Sequence, residues 1–345
     1  MRRALGTVAV ALLAGSSFAP PAAAADCGPN ALPPDQHYAA AGVCVRAVAY
    51  GQGDLRSVTF ASNGDLLAVT AAGEIRRYRD ANRDGVFSPR PPETITWGRT
   101  DATGDQECRI DRDQLYCRST YRVQRWRYDP AKDRAGPGEV IVAGIPEREP
   151  HGRRPLGVYD DGLYVTNSVT KRFALSKVVP GRPLQWKDGE LLEQGVKVPA
   201  AIGRGPRGRM AALDDEGVRA LEADETIVRL PKGSAASAMV FPDAGANLAL
   251  PDRWRTGAFI ARAGARAPGQ ASGHDVIWGT LTTPAEVVFG GGREGAYQGG
   301  DWGWRSGDAG DVSVSPTGLA VSPVDGALYV TSAGGAIYRV ATRGR

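Results

Sequence analysis

The sequence is poor in histidine and cysteine, with 3 and 4 of these residues among 345. The cysteines form no C-x-x-C pair, which argues against a zinc site or a thioredoxin-like redox site. Beyond the N-terminus no apolar run reaches roughly 18 residues, so the sequence predicts no membrane span. The formal charge is only +4, and the arginines are scattered and not gathered into a basic run with aromatic residues. This pattern argues against nucleic-acid binding.

Turn-forming residues are abundant instead. The chain has 45 glycines and 24 prolines, which is high for a helical protein and ordinary for a chain with many tight turns. A chain of 345 residues is too long for an ordinary single core. The length suits a β-propeller, in which each further blade adds its own core.

The N-terminal region has the features of a secretory signal peptide. Two arginines precede the short apolar core Leu5–Leu13, and A-x-A cleavage sites end at Ala24 and Ala25. The alternative, a buried first strand, does not account for these flanks. We therefore predict a signal peptide over residues 1–25 and a protein that is exported, to the periplasm or outside the cell. An aspartate before Cys27 argues against a lipoprotein signal.

The four cysteines all follow this segment, and an even number in an exported chain indicates disulfides. Four cysteines allow three pairings. Loop closure favours the local one, in which Cys27 pairs with Cys44 and Cys108 pairs with Cys117, because short loops are easier to close. The predicted organisation is a cysteine-anchored leader over residues 26–44 and one propeller domain from residue 45 to residue 345.

Short β-meanders recur along the chain. Gly318–Val340 reads as three strands joined by glycine-containing turns. The segments Ser57–Ala61, Leu66–Thr70 and Glu74–Tyr78 repeat this order, with the strong hairpin signal Asn63–Gly64 after the first. A meander of this size does not bury its faces alone, so it is expected to be one unit of a repeated all-β body.

The amino-acid sequence of these units resembles that of the glucose/sorbosone dehydrogenase family of soluble quinoproteins. The resemblance rests on the C-terminal unit, the opening unit in which Arg56 precedes the first apolar strand, the D-G-L-Y-V run at residues 161–165 and the G-A-F run at 257–259. It implies an all-β, six-bladed β-propeller of four-stranded antiparallel blades. It also implies oxidation of a sugar or a related alcohol with pyrroloquinoline quinone (PQQ) as cofactor and calcium as its metal, the electron acceptor being unknown.

The resemblance assigns catalytic roles to His151 and Arg154, with His151 as the base. In the family a histidine and then an arginine precede the D-G-L-Y-V strand, and that histidine takes the hydroxyl proton of the substrate. His151 stands at this position with Arg153 and Arg154 close behind it. The pKa of histidine suits a general base. The alternative is a loop histidine that packs or faces water.

The candidate ligands of the quinone are mostly arginines, which bind carboxylates by charge-assisted hydrogen bonds. Trp302 is added because its ring can stack on a planar ligand, although it equally suits a cap on the rim of the propeller. Where the family has its second histidine motif, this chain retains only Gly264, and the arginine of the last blade is replaced by Ser315. Besides Trp302 the candidates are Arg56, Arg153, Arg204, Arg207 and Arg266. For the basic stretch of residues 204–209, the alternative is an exposed loop between blades.

A candidate calcium loop follows the opening unit. Asp80, Asn82 and Asp84 alternate before Gly85, as in the first half of an EF-hand loop. The twelfth position is Pro91, so the bidentate glutamate of an EF-hand is missing. The alternative is a turn rich in Asp and Asn that needs no metal.

Two functions remain open at this point. One is an exported quinone-dependent dehydrogenase with His151 as the base, and the other is a catalytically degenerate propeller that binds a ligand or a protein. A lactonase-like hydrolase would need acidic metal ligands around a central channel, and the segment Asp80–Asp84 alone is too local to supply them.

Overall fold

The computed structural model describes residues 27–344 apart from a set of internal gaps. The gaps are residues 29, 33–36, 147–153, 168, 194–198, 206–207, 215, 222–224, 231–233, 243–247, 264–273, 281, 284 and 292–314. The predicted signal peptide therefore lies outside the described residues. Among those that are described, no helix is long and apolar enough to cross a membrane.

Regular structure in the described residues is β-strand with a few short 3-10 turns. In chain order the strands are β1 (His37–Ala39), β2 (Val43–Ala49), β3 (Leu55–Phe60), β4 (Leu66–Thr70), β5 (Glu74–Tyr78), β6 (Thr94–Arg99), β7 (Glu107–Asp111), β8 (Gln114–Arg118), β9 (Val123–Arg127), β10 (Glu139–Ala143), β11 (Leu156–Tyr159), β12 (Gly162–Thr166), β13 (Thr170–Phe173), β14 (Leu184–Gln185), β15 (Glu190–Glu193), β16 (Ala201–Arg204), β17 (Met210–Asp214), β18 (Gly217–Ala220), β19 (Thr226–Arg229), β20 (Ala236–Val240), β21 (Ala258–Arg262), β22 (Asp275–Gly279), β23 (Glu286–Gly291), β24 (Pro316–Val321), β25 (Leu328–Ser332) and β26 (Ile337–Thr342).

The strands form six sheets, and each sheet is one blade. Blade 1 contains β3 to β6, blade 2 contains β7 to β10 with β14, and blade 3 contains β11 to β13 with β15. Blade 4 contains β16 to β19, blade 5 contains β20 to β23 with β1, and blade 6 contains β24 to β26 with β2. The prediction of an all-β, six-bladed propeller is confirmed. Blades 2 and 5 differ from the predicted four strands because each carries a fifth, and β14 runs parallel to β10.

The innermost strands of the blades contact one another in a closed ring, in the order β3, β7, β11, β16, β20, β24 and back to β3. In blades 1 to 5 the chain passes through four successive antiparallel strands from the inner to the outer one, so it returns to the same end before it enters the next blade. The inner strands therefore all run in one direction. On β7, for example, the N–H groups of Cys108 and Ile110 donate to the hydroxyls of Ser57 and Thr59 on β3. We call the end where the inner strands begin the mouth and the opposite end the rear.

The N-terminal part of the chain closes the ring. β2 pairs antiparallel with β26, from Val43 opposite Thr342 to Ala49 opposite Ile337, and so completes blade 6. Without β2, the edge of β26 would expose unpaired backbone groups. The leader also supplies β1, which pairs with β23 in blade 5.

Both predicted disulfides are confirmed. Cys27 pairs with Cys44 and ties the leader to β2. Cys108 pairs with Cys117, which lies directly opposite it on the β7–β8 hairpin. Two disulfides and no free cysteine are typical of proteins in oxidising compartments.

The apolar core lies between the blades. Trp97 of blade 1 packs against Tyr128, which follows β9 of blade 2, with ring centroids 5.3 Å apart. Phe289 of blade 5 packs against Tyr338 of blade 6 at 5.1 Å. Such contacts hold the blades in place, so that the loops at the mouth stand on a rigid frame.

Candidate functional site

Three side chains from different blades meet at the mouth. Arg56 lies near the start of β3, and its Nη1 donates to Oδ1 of Asp105, just before β7, at 2.9 Å. Arg154 lies two residues before β11 and is buried. Its Nη1 donates to the backbone carbonyls of Asp105 and of Thr103, the latter at 3.3 Å. Asp105 therefore links Arg56 to Arg154 through its own side chain and backbone.

A glycine makes this link possible. Gly104 has a φ of +84°, in the left-handed region that glycine adopts without steric cost. The turn at Gly104 presents the carbonyl groups on both sides of it to Arg154. A second carboxylate, that of Asp54, also pairs with Arg56. Nε of Arg56 is buried and has no hydrogen-bond partner among the described residues.

A buried cation lies beside this cluster. Nη1 of Arg118, at the mouth end of β8, donates to the carbonyl of Pro155 at 2.9 Å and to that of Thr166. Burial, and then the nearby charge of Arg154, lower the pKa of Arg118 to about 9 against the opposing effect of Glu107. Arg118 is therefore still charged at neutral pH. Its Nε is buried and has no partner in the described part of the chain.

Glu107 also binds the segment that carries Arg154. Its Oε2 accepts a hydrogen bond from the backbone N–H of Leu156 at 3.1 Å, and its Oε1 pairs with Arg109. Arg118 and Glu107 thus hold both sides of the Pro155–Leu156 peptide. The segment that carries Arg154 is therefore fixed by a cation and by an anion from blade 2.

A histidine lies at the mouth end of blade 5. His274 immediately precedes β22, and its backbone N–H donates to the carbonyl of Arg262 at 2.7 Å. Beside it, Nε of Arg262 donates to Oδ1 of Asp275 at 2.6 Å, and both side chains are buried. This ion pair fixes the two strands between which residues 264–273 run.

Several predicted site residues are not described. Their roles stay predictions. His151 and Arg153 lie in the connection that enters β11, and Arg266 lies between β21 and β22. Those outside the described residues are His151, Arg153, Arg207, Arg266 and Trp302.

Arg204 lies at the other end of the molecule. It is the last residue of β16, so it is at the rear, where its Nη2 donates to Oδ1 of Asp161 at 2.6 Å. Its guanidinium also stacks over the ring of Tyr159 at 4.5 Å. Burial raises the pKa of Tyr159 to about 12, although the nearby Arg109 opposes the shift. Arg204 and Arg56 therefore do not contribute to one site.

The candidate calcium loop also lies at the rear, between β5 and β6. Both carboxylate oxygens of Asp80 accept backbone N–H groups, from Asp84 at 3.0 Å and from Gly85 at 2.9 Å. The amide of Asn82 donates to Asp84 at 3.0 Å. Within the described ranges, no group of three His, Cys, Asp or Glu residues is arranged to hold a metal ion. A calcium ion here would be remote from a quinone at the mouth, so only a structural role fits this position.

Several solved structures have a fold similar to that of this chain. A holo form of the PQQ domain of a pyranose dehydrogenase from Coprinopsis cinerea is similar over 90% of this chain and 98% of its own, with 16% identity and a TM-score of 0.69. A calcium structure of a family AA12 carbohydrate-active enzyme from Trichoderma reesei matches 89% of this chain and 97% of its own, with 13% identity and a TM-score of 0.68.

A third similar structure is a PQQ-bound aldose sugar dehydrogenase from Streptomyces coelicolor, at 15% identity and a TM-score of 0.57 over 90% of this chain and 99% of its own. No protein-family model matches the chain, and no curated protein matches it by sequence. At such identities the likeness establishes the fold. The predicted similarity to PQQ-dependent sugar dehydrogenase propellers is confirmed at that level.

Sequence reasoning missed Asp105, Glu107 and Arg118. All three lie beside the C-R-I-D-R-D-Q-L-Y-C stretch of blade 2, and Glu107 and Arg118 are the first residue of β7 and the last residue of β8. The available signal was the register of the Cys108–Cys117 pair, because it sets Glu107 opposite Arg118 at one end of the hairpin. Their relation to Arg154 depends on the packing of blade 2 against blade 3, which no local pattern reveals.

Proposed function

We propose that this protein is an exported, quinone-dependent dehydrogenase of sugars or related alcohols, with its cofactor site at the mouth. The observation that carries the proposal is the convergence of Arg56, Asp105 and Arg154 from three consecutive connections on a fold shared with PQQ-dependent sugar dehydrogenases. Convergence of loops from several blades at one end of the central axis is how propellers build sites.

The residues present at the mouth fit an anionic cofactor. PQQ carries carboxylates, which guanidinium groups bind strongly. Arg56 and Arg154 are placed to hold them, and the buried Nε atoms of Arg56 and Arg118 are donors that have no partner among the described residues. Asp105 orients both binding arginines. The bound quinone would supply the acceptor for the hydride that leaves the substrate carbon.

His151 is the proposed general base. It precedes the fixed Arg154 by three residues, and the peptide that follows Arg154 is clamped by Arg118 and Glu107. The task of His151 is to accept the hydroxyl proton of the substrate as the carbon is oxidised, for which an unperturbed pKa of about 6.5 is suitable. Calcium at Asp80, Asn82 and Asp84 is proposed only as a structural ion at the rear.

The test is to load the purified protein with PQQ and calcium and to follow the bound chromophore and dye reduction with aldoses. We expect His151→Ala to lower turnover by a factor of order 10² while quinone binding persists. His274→Ala is the matched control, a second histidine at the mouth with no assigned role. Equal turnover in the two variants would remove His151 from the mechanism.

Binding is tested separately. Arg154→Gln removes a guanidinium from the mouth and is expected to weaken quinone binding by about tenfold or more, the usual effect of losing a charge-assisted bond. Arg204→Gln removes one from the rear and is expected to leave binding unchanged. If the wild-type protein binds no quinone at micromolar concentration, the dehydrogenase proposal is wrong.

One observation favours a second candidate, a propeller that binds a ligand without catalysis. Arg56 is already paired with two carboxylates, those of Asp54 and Asp105, so part of the positive charge at the mouth is neutralised within the protein. A mouth of this kind suits a ligand of lower charge than a tricarboxylate. Absence of quinone binding together with binding of a neutral sugar at the mouth would support this candidate.

A further inference from the structure

At the rear of blades 1, 2 and 3, the segments that join the third and fourth strands add to the apolar core between neighbouring blades. In blades 1, 2 and 3 these segments are long, residues 79–93, 128–138 and 174–189. Each places an apolar side chain in a core that its blade shares with the preceding one. Phe87 lies in the core shared by blades 6 and 1, Ala135 in that shared by blades 1 and 2, and Trp186 in that shared by blades 2 and 3.

In blade 5 the corresponding segment is shorter, residues 280–285, and its described residues include Thr280, Thr282 and Thr283. These threonines line a cleft of about 600 Å³ between blades 4 and 5. This volume lies within the usual range of small-molecule sites, about 300 to 1,000 Å³.

The charges on the two walls of the cleft are balanced. On the blade 4 wall, Nη1 of Arg209 pairs with Glu225 at 2.8 Å. On the blade 5 wall, Nη2 of Arg253 pairs with Glu286, also at 2.8 Å. Each of these ion pairs therefore contributes one positive and one negative group and no net charge. A phosphate or a polyanion gains no net attraction from such a lining, since each guanidinium already faces a carboxylate.

The remaining lining consists of hydroxyls and apolar surface. Thr226 and Thr256 add hydroxyls from opposite walls to those of the 280–285 segment, and Ile227 and Trp278 supply apolar groups. A hydroxyl both donates and accepts a hydrogen bond, as a sugar hydroxyl does. Paired carboxylates and guanidinium groups satisfy vicinal sugar hydroxyls in the same way, while apolar side chains suit the C–H faces of a sugar ring.

We propose that the cleft between blades 4 and 5 is a second binding site, separate from the mouth, for a neutral polyhydroxylated ligand of the oligosaccharide class. Because the site lies at the rear, a carbohydrate chain bound there does not enter the mouth. The inference does not rest on the proposed redox function, because binding in the cleft requires no cofactor.

Isothermal titration calorimetry of the cofactor-free protein tests it, with maltoheptaose and cellohexaose as neutral probes and dextran sulfate as an anionic one. We expect at least one neutral probe to bind with a dissociation constant of order 1 mM. Thr256→Trp fills the cleft from an exposed position and should weaken binding by about tenfold or more. Thr226→Val with Thr282→Val keeps the shape and removes two hydroxyls, and should also weaken it.

The matched control is Thr96→Trp, which adds the same bulk at an exposed threonine on β6, outside the cleft. It should bind the probe as the wild-type protein does. The proposal is overturned if neither neutral probe binds at about 10 mM, or if Thr256→Trp and Thr96→Trp bind it equally well. Binding of dextran sulfate in preference to the neutral probes would likewise contradict the assigned ligand class.

Discussion

Asp65→Asn is expected to destabilise the junction between blades 1 and 2. Asp65 lies in the β3–β4 turn at the rear and is 2% exposed. Its carboxylate accepts hydrogen bonds from Nε of Arg79 at 2.7 Å, from Nδ2 of Asn63 at 2.9 Å and from the hydroxyl of Tyr128 in blade 2. The asparagine amide keeps the shape of the side chain but loses the charge that these donors face.

The expected loss of stability depends on how far Asp65 and its hydrogen-bond partners are buried. Removing one member of a buried ion pair usually costs about 3 to 5 kcal/mol. The Arg79 side chain is 35% exposed, so water solvates part of its charge once the carboxylate is gone. We therefore expect the free energy of unfolding to fall by about 3 kcal/mol, the lower end of this range. Urea denaturation followed by tryptophan fluorescence measures it.

The effect should also depend on pH. Burial alone would raise the pKa of Asp65, but hydrogen bonds from Arg79, Tyr128 and Asn63 outweigh it, so the pKa is lowered. A carboxyl group with a depressed folded-state pKa stabilises the fold above its unfolded value of about 3.9 and loses this contribution as pH falls through the folded pKa. The difference between wild type and Asp65→Asn should be constant near neutrality and shrink below about pH 4.

Asp160→Asn is the matched control. Asp160 also lies in a rear turn and also pairs across two blades, with Arg112 at 3.0 Å, but both side chains are 77% exposed. An exposed pair of this kind should change the free energy of unfolding by less than about 0.5 kcal/mol. Equal losses in the two variants would refute the argument that burial sets the value of the Asp65 network.

Two further changes test the mouth end. Replacing Cys108 and Cys117 together by alanine opens a loop with a sequence separation of 9 residues and should cost about 2.5 kcal/mol in the chain-entropy model. An unchanged urea midpoint would show that this disulfide does not stabilise the fold. Asp275→Asn leaves the buried Arg262 without its carboxylate and should cost about 3 to 5 kcal/mol, more than Asp65→Asn, since both partners are buried. A smaller loss than that of Asp65→Asn, measured in the same urea series, would contradict this order.

Local features of the fold are predictable from the sequence where they depend on neighbouring residues. β4 and β5 have the predicted bounds, and Gly64 adopts the positive φ, +90°, that its hairpin turn requires. Short apolar or alternating runs bounded by turn glycines suffice for such elements. Both disulfides follow from loop closure for the same reason.

Features that join distant segments are not predictable in this way. β1 and β14 have three and two residues, and they exist because a neighbouring blade offers an edge. The separation of Arg204 from Arg56 depends on the direction of the inner strands, which is fixed only once four strands are counted in each blade. Asp105 enters the site through the packing of three blades.

The pairing of β2 with β26 affects how the protein folds during its synthesis. Val43 pairs with Thr342, so blade 6 is incomplete until residue 342 has been synthesised. Pairs so far apart in sequence raise the contact order, and a high contact order slows folding. The ring of blades therefore closes in a late step of folding, when β2 and β26 pair.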